Sequence, residues 1–292
     1  MGLTERADEL RRNRAAYVHA RVVVAEKPTS AKPGAEAIVL ADGTIEGFVG
    51  GACAESTVRA QALTLLDSGE TLLLRITPEP EAPRSGSLTV HNPCLSGGTL
   101  EIFLQPVIPA PLVVVVGVTP IARAVLDLTG PLGHAGVPYD GTLPGDTAAV
   151  VIASHGRDEE GVLAEALRAD VPYVGLVASR RRGEAVLESI DVCVSRKSRV
   201  HTPAGLDIGA RTPEEVALSI LAEIISTRPR QSGRPVGEGP SASAESAVDP
   251  VCGMSVVTVD ASLHLDHEGQ RYWFCGSGCL RAFAADPAAY LS

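Results

Sequence analysis

"APLVVVVGVTPIARAVLDL", residues Ala110–Leu128, decides the fold. Its apolar run shows no polar alternation, the pattern of a strand covered on both faces inside a parallel sheet. A helical segment follows at once, and the alternation then continues through "AAVVIAS", "DEEGVLAEALRA", "YVGLVAS" and "RRGEAVLESI". Strand and helix in regular turn predict a doubly wound, Rossmann-like parallel-sheet domain over residues 111–228. Near its end, "TPEEVALSILAEIIST" carries a helix-start signature: Thr212 as N-cap, Pro213 in the first turn and Glu215 closing a capping box. The turn after the first strand departs from a dinucleotide site. Only Gly117 remains of a G-x-G-x-x-G pattern, and Thr119-Pro120 stand where backbone would have to approach a pyrophosphate. Thr119 is better suited to capping the next helix.

Working towards the N-terminus, "MGLTERADELRR" reads as a charged amphipathic helix. "YVHARVVVAE" and "AEAIVLADGTIEGFVG" read as strands, the second turned at Asp42-Gly43 as a hairpin. "STVRAQALTLLDSG" has helical spacing up to Gly69, and "ETLLLRI" and "GTLEIFLQPV" are strand-like again. Residues 1–110 are thus expected to form an α+β domain.

Working towards the C-terminus, residues 229–247 are mostly Pro, Gly, Ser and Ala, and predict a flexible linker spanning about 24 Å. Residues 248–292 carry five of the ten aromatic residues and three of the six cysteines. A module this short is marginal on apolar burial alone, so an aromatic cluster and a bound metal would both help it fold. It is expected to move as a separate body.

The formal charge of −10 argues against a nucleic-acid or membrane-surface binder. The N-terminus lacks the apolar centre of a signal peptide, and the most hydrophobic stretch, "APLVVVVGV", is too short to span a bilayer, so the expected location is cytoplasmic. In that reducing compartment thiols serve as ligands, nucleophiles or buried apolar groups.

Cys275 and Cys279 are four apart at the start of a helical stretch, where the helix N-terminus favours thiolate. Cys252 would return from its own loop, ahead of a hairpin turned at Glu268-Gly269. Three thiolates suit Zn(II) or Cu(I), with His264, His267, Asp249 and Met254 all open as fourth ligand. Cys53 follows Gly50-Gly51 at a helix start, and Cys94 lies beside a Gly-Gly turn. Two thiols on Gly-rich loops of one domain could face one cleft and hold a metal-dithiolene or a sulfur carrier; each is equally a small residue in a tight turn. Cys193, in "IDVCVS", reads as a buried strand residue.

Two resemblances follow from these segments. "DPVCGM…YWFCGSGCLRAFAADPAAYL" resembles a YHS domain, a small treble-clef-like metal module, which implies metal binding at Cys252, Cys275 and Cys279. "KPTSAKPGAEAIVLADGTIEGFVGGACAE", "CLSGGTLEIFLQP", "VVIASHGRDEEGVLAEAL", "YVGLVASRRR" and "GLDIGARTPEEVALSILAEI" occur in the order seen in the XdhC/CoxI family. That resemblance implies an accessory factor that handles molybdenum cofactor for xanthine dehydrogenase or aerobic CO dehydrogenase type enzymes. Members carry Gly-Gly-Cys-x-Glu where this chain reads Gly50-Gly51-Ala52-Cys53-Ala54-Glu55, so Cys53 is the counterpart of the family cysteine and Glu55 of its acid. His155, Ser179, Arg180, Arg181 and Asp207 fall on family-like loops after strands, where arginines could grip a pterin or cytosine-dinucleotide phosphate.

The expectation is a cofactor chaperone with no catalytic residue of its own. It would bind molybdenum cofactor in a cleft between its two larger domains, with Zn or Cu at the C-terminal module. Expected partners are an apo molybdenum hydroxylase and a cysteine desulfurase, the chain forming a homo-oligomer. The alternatives are an NAD(P)-dependent oxidoreductase and a metal-sensing interaction protein.

Overall fold

The computed structural model describes residues 2–82, 84–92, 98–156, 159–228 and 245–291. They form two compact units, one of the residues up to Pro109 together with the C-terminal segment, the other of Ala110–Arg230.

The first unit begins with α1 (Leu3–Arg12), β1 (Tyr17–Ala25), β2 (Glu36–Leu40) and β3 (Ile45–Gly47), followed by α2 (Ala52–Ser68), β4 (Leu72–Thr77), β5 (Leu88–His91) and β6 (Leu100–Val107). The strands make one sheet in the order β3-β2-β1-β6-β4-β5, antiparallel except for the β4–β5 pair. The two-residue period of β1 sorts its side chains. Val18, Ala20 and Val22 join Val58, Ala62 and Leu65 of α2 in one core, whereas Tyr17 packs with Leu10 of α1 and Ile38. The hairpin forms at Asp42-Gly43, with the Asp42 carboxylate accepting from Thr44 N and Gly43 at φ +83°. α2 stops at Gly69 in the left-handed region.

The second unit holds β7 (Leu112–Val116), α3 (Pro120–Thr129), β8 (Ala135–Pro138), β9 (Thr147–Ile152), α4 (Glu159–Arg168), β10 (Tyr173–Leu176), α5 (Arg180–Ser189), α6 (Val194–Lys197), β11 (Val200–His201) and α7 (Pro213–Thr227). All four strand pairings are parallel, in the order β11-β10-β9-β7-β8, a doubly wound sheet whose order reverses between β7 and β9. β7 is buried on both faces, as its unbroken valine run requires: Leu112, Val114 and Val116 pack towards α4 and α5, and Val113 and Val115 towards α3 and α7.

At the end of β7, Gly117 takes φ +108°, and a Cβ there would fall on the Ala153 carbonyl oxygen. Thr119 caps α3, accepting from Ala122 N at 3.1 Å and donating to Ala153 O at 2.8 Å. Gly117 therefore serves the close approach of β7 to the end of β9, and an amide in the first turn of α3 is already satisfied. Gly117→Ala is expected to lower the stability of the full chain by about 2 kcal/mol or more. An unchanged thermal midpoint would contradict this account of the turn.

Cys193 requires a correction. It is exposed, at the N-cap of the single-turn helix α6, with its Sγ 3.3 Å from Ser195 Oγ, and is no buried strand residue. Four residues of mixed β-branched character do not distinguish a strand from a loop entering a helix.

The C-terminal segment contains β12 (Ser246–Val248), β13 (Ser255–Val257), β14 (Leu263–His267), β15 (Gln270–Phe274) and α8 (Ser277–Ala285). The β14–β15 hairpin turns at Glu268-Gly269, both with positive φ. Phe283 of α8 is fully buried among the rings of Tyr272, Phe274, His267 and Tyr290. Pairing with β13 brings residues 246–247 into β12, inside the stretch read from sequence as linker; residues 229–244 lie outside the described residues. β13 packs against α2, so this module belongs to the first unit instead of standing apart.

Candidate metal centre

Cys275 directly follows β15 and is buried, Cys279 sits in the first turn of α8, and Cys252 lies on the exposed loop between β12 and β13. The Sγ atoms of Cys252 and Cys275 are 3.5 Å apart and those of Cys275 and Cys279 3.7 Å. With a carboxylate oxygen of Asp249, all four ligand atoms lie within 4.8 Å of one another. The structure thus brings together the three cysteines expected from the sequence.

Asp249 explains how the loop reaches the hairpin. Its carboxylate is fully buried, one oxygen accepting from Val251 N at 2.9 Å and the other from Cys275 N at 2.8 Å. Gly253, at φ +76°, donates to the Asp249 carbonyl and completes the turn that aims Cys252 inward. Of the other fourth-ligand candidates, His264 Nδ1 lies 2.9 Å from Ser262 O with its ring against Trp273, and His267 packs edge-on to Phe283. Met254 stays beside the cysteines.

The sequence places Cys53 in a different site, and the structure does not. Cys53 occupies the first turn of α2, and its thiol lies on the same cleft as that of Cys275. Gly276 makes the approach possible, since a Cβ there would already sit 3.5 Å from Cys53 Sγ. A cleft of about 510 Å³ opens at this meeting point, lined by Cys53, the three module cysteines, Ala52 and Met254 among others. The hydrogen bond from Cys53 and burial push the Cys275 thiol far up, and burial pushes Cys279 up to about 12. Without a cation the packed thiols hold their protons; a bound metal displaces them.

The surroundings of Cys53 fix its backbone. Its carbonyl accepts from Asn92 Nδ2 at 3.0 Å and Thr57 Oγ1 at 3.2 Å. Gly50, at φ +145°, leaves room for Ala54, and Gly51 is the N-cap of α2. Burial raises the Glu55 carboxyl, partly offset by Arg59 one turn on. A small cavity of about 50 Å³, bounded by Thr29, Ser30, Asn92 and Gly98, touches Cys53 from another side. Cys94 lies outside the described residues.

In the second unit, His155, Ser179, Arg180 and Asp207 line one cavity of about 880 Å³ beyond the C-terminal ends of β9, β10 and β11. Parallel sheets place ligands at such ends. Arg181 is exposed on α5 and takes no part in the lining. Arg182 does line the cavity, but its guanidinium pairs with the buried Glu159 carboxylate and is not left over for a phosphate. Sequence reading missed two acids here. Glu159 also accepts from Ser154 Oγ and Gly156 N, holding His155 at φ +54°. Glu223 accepts from Tyr173 Oη at 2.6 Å and Gly205 N at 2.8 Å, and lies 3.2 Å from His201 Nδ1. The one available signal was an acid amid the apolar residues of "SILAEII".

These arrangements define a two-unit α/β protein that presents clustered thiols to a soft ligand. Comparison with known families places it further. Residues 10–77 match the model described as XdhC and CoxI family, residues 113–224 the XdhC Rossmann domain, and residues 247–292 the YHS domain. Two segments of the chain thus match models of the XdhC and CoxI group, and its C-terminal segment matches the YHS model. Among curated proteins, it is 26% identical over 242 residues to uncharacterized protein YqeB of Escherichia coli, covering 72% of this chain and 43% of that protein. It is 36% identical over 83 residues to a Bacillus subtilis protein named as a probable xanthine dehydrogenase subunit, covering 28% of this chain and 24% of that protein. The chain thus spans less than half the length of these relatives. A solved structure titled as a xanthine dehydrogenase from Bacillus halodurans aligns with a TM-score of 0.36 at 16% identity, over 80% of this chain and 98% of that one. Among the described residues no helix is long and apolar enough to cross a membrane.

Proposed function

We propose that this protein is a maturation factor for a molybdenum hydroxylase of the xanthine dehydrogenase type. It binds molybdenum cofactor with Cys53 as a soft contact and passes it to the apo-enzyme, acting as a carrier instead of turning over a substrate. The observation that carries this reading is the setting of Cys53: a thiol in the first turn of a 17-residue helix, behind Gly50-Gly51 and facing a cleft. The positive helix end favours the thiolate a molybdenum centre would meet. The matches to XdhC and CoxI models and the likeness to a protein named as a probable xanthine dehydrogenase subunit support the client class. Within the second unit by itself, Arg180 and Ser179 line the large cavity and suit an anionic group. The YHS cysteines supply a site for Zn or Cu.

The test is pterin and molybdenum content after anaerobic purification from a host that makes the cofactor. The wild-type chain is expected to carry both, and Cys53→Ala several-fold less. A wild-type protein without cofactor would overturn the proposal.

A further inference from the structure

Cys53 and the YHS cysteines meet in one place, and neither the separate family segments nor their spacing foreshadows it. We propose that Cys53 completes the metal centre, so that one sulfur from α2 and three from the C-terminal module hold a single thiophilic cation of the Zn(II) or Cu(I) class.

The geometry brings four sulfurs to one cleft. A tetrahedral centre with metal–sulfur bonds of about 2.3 Å has sulfurs about 3.8 Å apart. Cys252 and Cys275 are 3.5 Å apart and Cys275 and Cys279 3.7 Å, and Cys53 Sγ lies on the same cleft, 3.5 Å from where a Gly276 Cβ would sit; in the proposed centre it takes the place of the Asp249 oxygen that completes the cluster within 4.8 Å. Asp249, the competing fourth donor, has each carboxylate oxygen engaged by a backbone amide, which makes it the positioning residue of the loop. Both histidines of the hairpin face aromatic rings.

The electrostatics agree. α2 carries Cys53 and α8 carries Cys279 in their first turns, so two helix N-termini bear on the cleft. Ala52, Val251, Met254 and Ala282 give the cleft an apolar wall, which strengthens ion–thiolate attraction and brings a thioether near a soft ion.

Two properties follow. Because the ligands come from α2 and from the far end of the chain, metal binding fastens the module onto α2. A Cys53 sulfur held by the metal is also withdrawn from any second ligand, so metal and molybdenum cofactor exclude one another at this thiol. This last consequence rests on the proposed function; the metal site does not, and a chain that carries no pterin can still form it.

The test uses the full chain, reduced and anaerobic, with Co(II) as spectroscopic probe. The wild type is expected to show tetrahedral cobalt bands with charge-transfer intensity for four thiolates. Cys53→Ala should lose about a quarter of that intensity, one thiolate in four, and bind at least about tenfold more weakly, since even a residue one shell out commonly costs that much. Its far-ultraviolet dichroism and Trp273 emission should match the wild type, showing that the fold is kept. A spectrum and affinity unchanged by the substitution would overturn the proposal, as would failure of the wild type to bind Co(II). In a second measurement, Zn(II) should protect Cys53 from iodoacetamide in the wild type, read by peptide mass. Cys252→Ala should abolish the protection. Full alkylation of Cys53 in the zinc-loaded wild type would equally refute it.

Discussion

Phe283→Ala is expected to unfold the C-terminal module at temperatures where the wild-type module is folded. Phe283 is fully buried, its ring centroid 5.0 Å from Tyr272, 5.2 Å from Phe274, 5.9 Å from His267 and 6.4 Å from Tyr290. It is the side chain that ties α8 to the β14–β15 hairpin. Truncating such a residue costs about 3–5 kcal/mol, as much as the entire core of so small a module supplies. Cys279 would then no longer be held against Cys275, and metal affinity should fall with stability. Trp273, the only tryptophan of the chain, lies on β15 beside His264 and reports the event directly. In urea its emission should shift at lower denaturant in the variant. Metal at a hundredfold excess over its dissociation constant should restore about 2.7 kcal/mol, because it binds the folded module. An unchanged urea midpoint would show that the ring cluster does not hold the module together.

Glu159→Ala should destabilise the second unit by about 3 kcal/mol. The Glu159 side chain, 1% exposed, accepts hydrogen bonds from Gly156 N at 2.7 Å, Ser154 Oγ at 2.9 Å and the Arg182 guanidinium. Its removal orphans a buried amide and a hydroxyl and leaves Arg182 without its partner, losses of the kind that reach several kcal/mol when a buried pair is broken. The His155 turn and the rim of the large cavity should loosen with it. Burial pushes this carboxyl up, but the Gly156 amide, Arg182 and Ser154 together outweigh burial and leave it below its ordinary value of 4.5. A carboxylate depressed in the folded state stabilises the fold fully above its unfolded value, and that contribution is lost as pH falls through the folded one. Thermal midpoints between pH 5.5 and 3 should therefore fall more steeply in the wild type than in Glu159→Gln. Parallel curves would remove Glu159 from the account.

Features written in local chemistry were legible. The Thr119 and Thr212 caps form as their side chains and following prolines require. Both hairpins turn at the expected dipeptides, Asp42-Gly43 and Glu268-Gly269. The double burial of the valine run in β7 made the parallel sheet readable, because only a strand covered on both faces tolerates it. β8 and β11 escaped notice, being four and two residues long and held by neighbours more than by their own composition. Cys193 shows the reverse failure, an apolar alternation too short to specify a strand.

The sequence by itself determined most of the longer strands and helices and a Rossmann-like domain at the centre of the chain, and its likeness to a YHS module pointed to a cluster of Cys252, Cys275 and Cys279. The elements follow from period and capping, which act over a few residues; the cysteine cluster followed from the YHS resemblance. Only the tertiary structure decided that Asp249 is tied up by backbone amides, that Glu159 claims Arg182, and that Cys53 stands against Cys275. Each of these is a contact between distant parts of the chain. Such contacts arise when packing brings together surfaces whose pairing no local pattern encodes, here β13 on α2 with Gly276 leaving room for a sulfur.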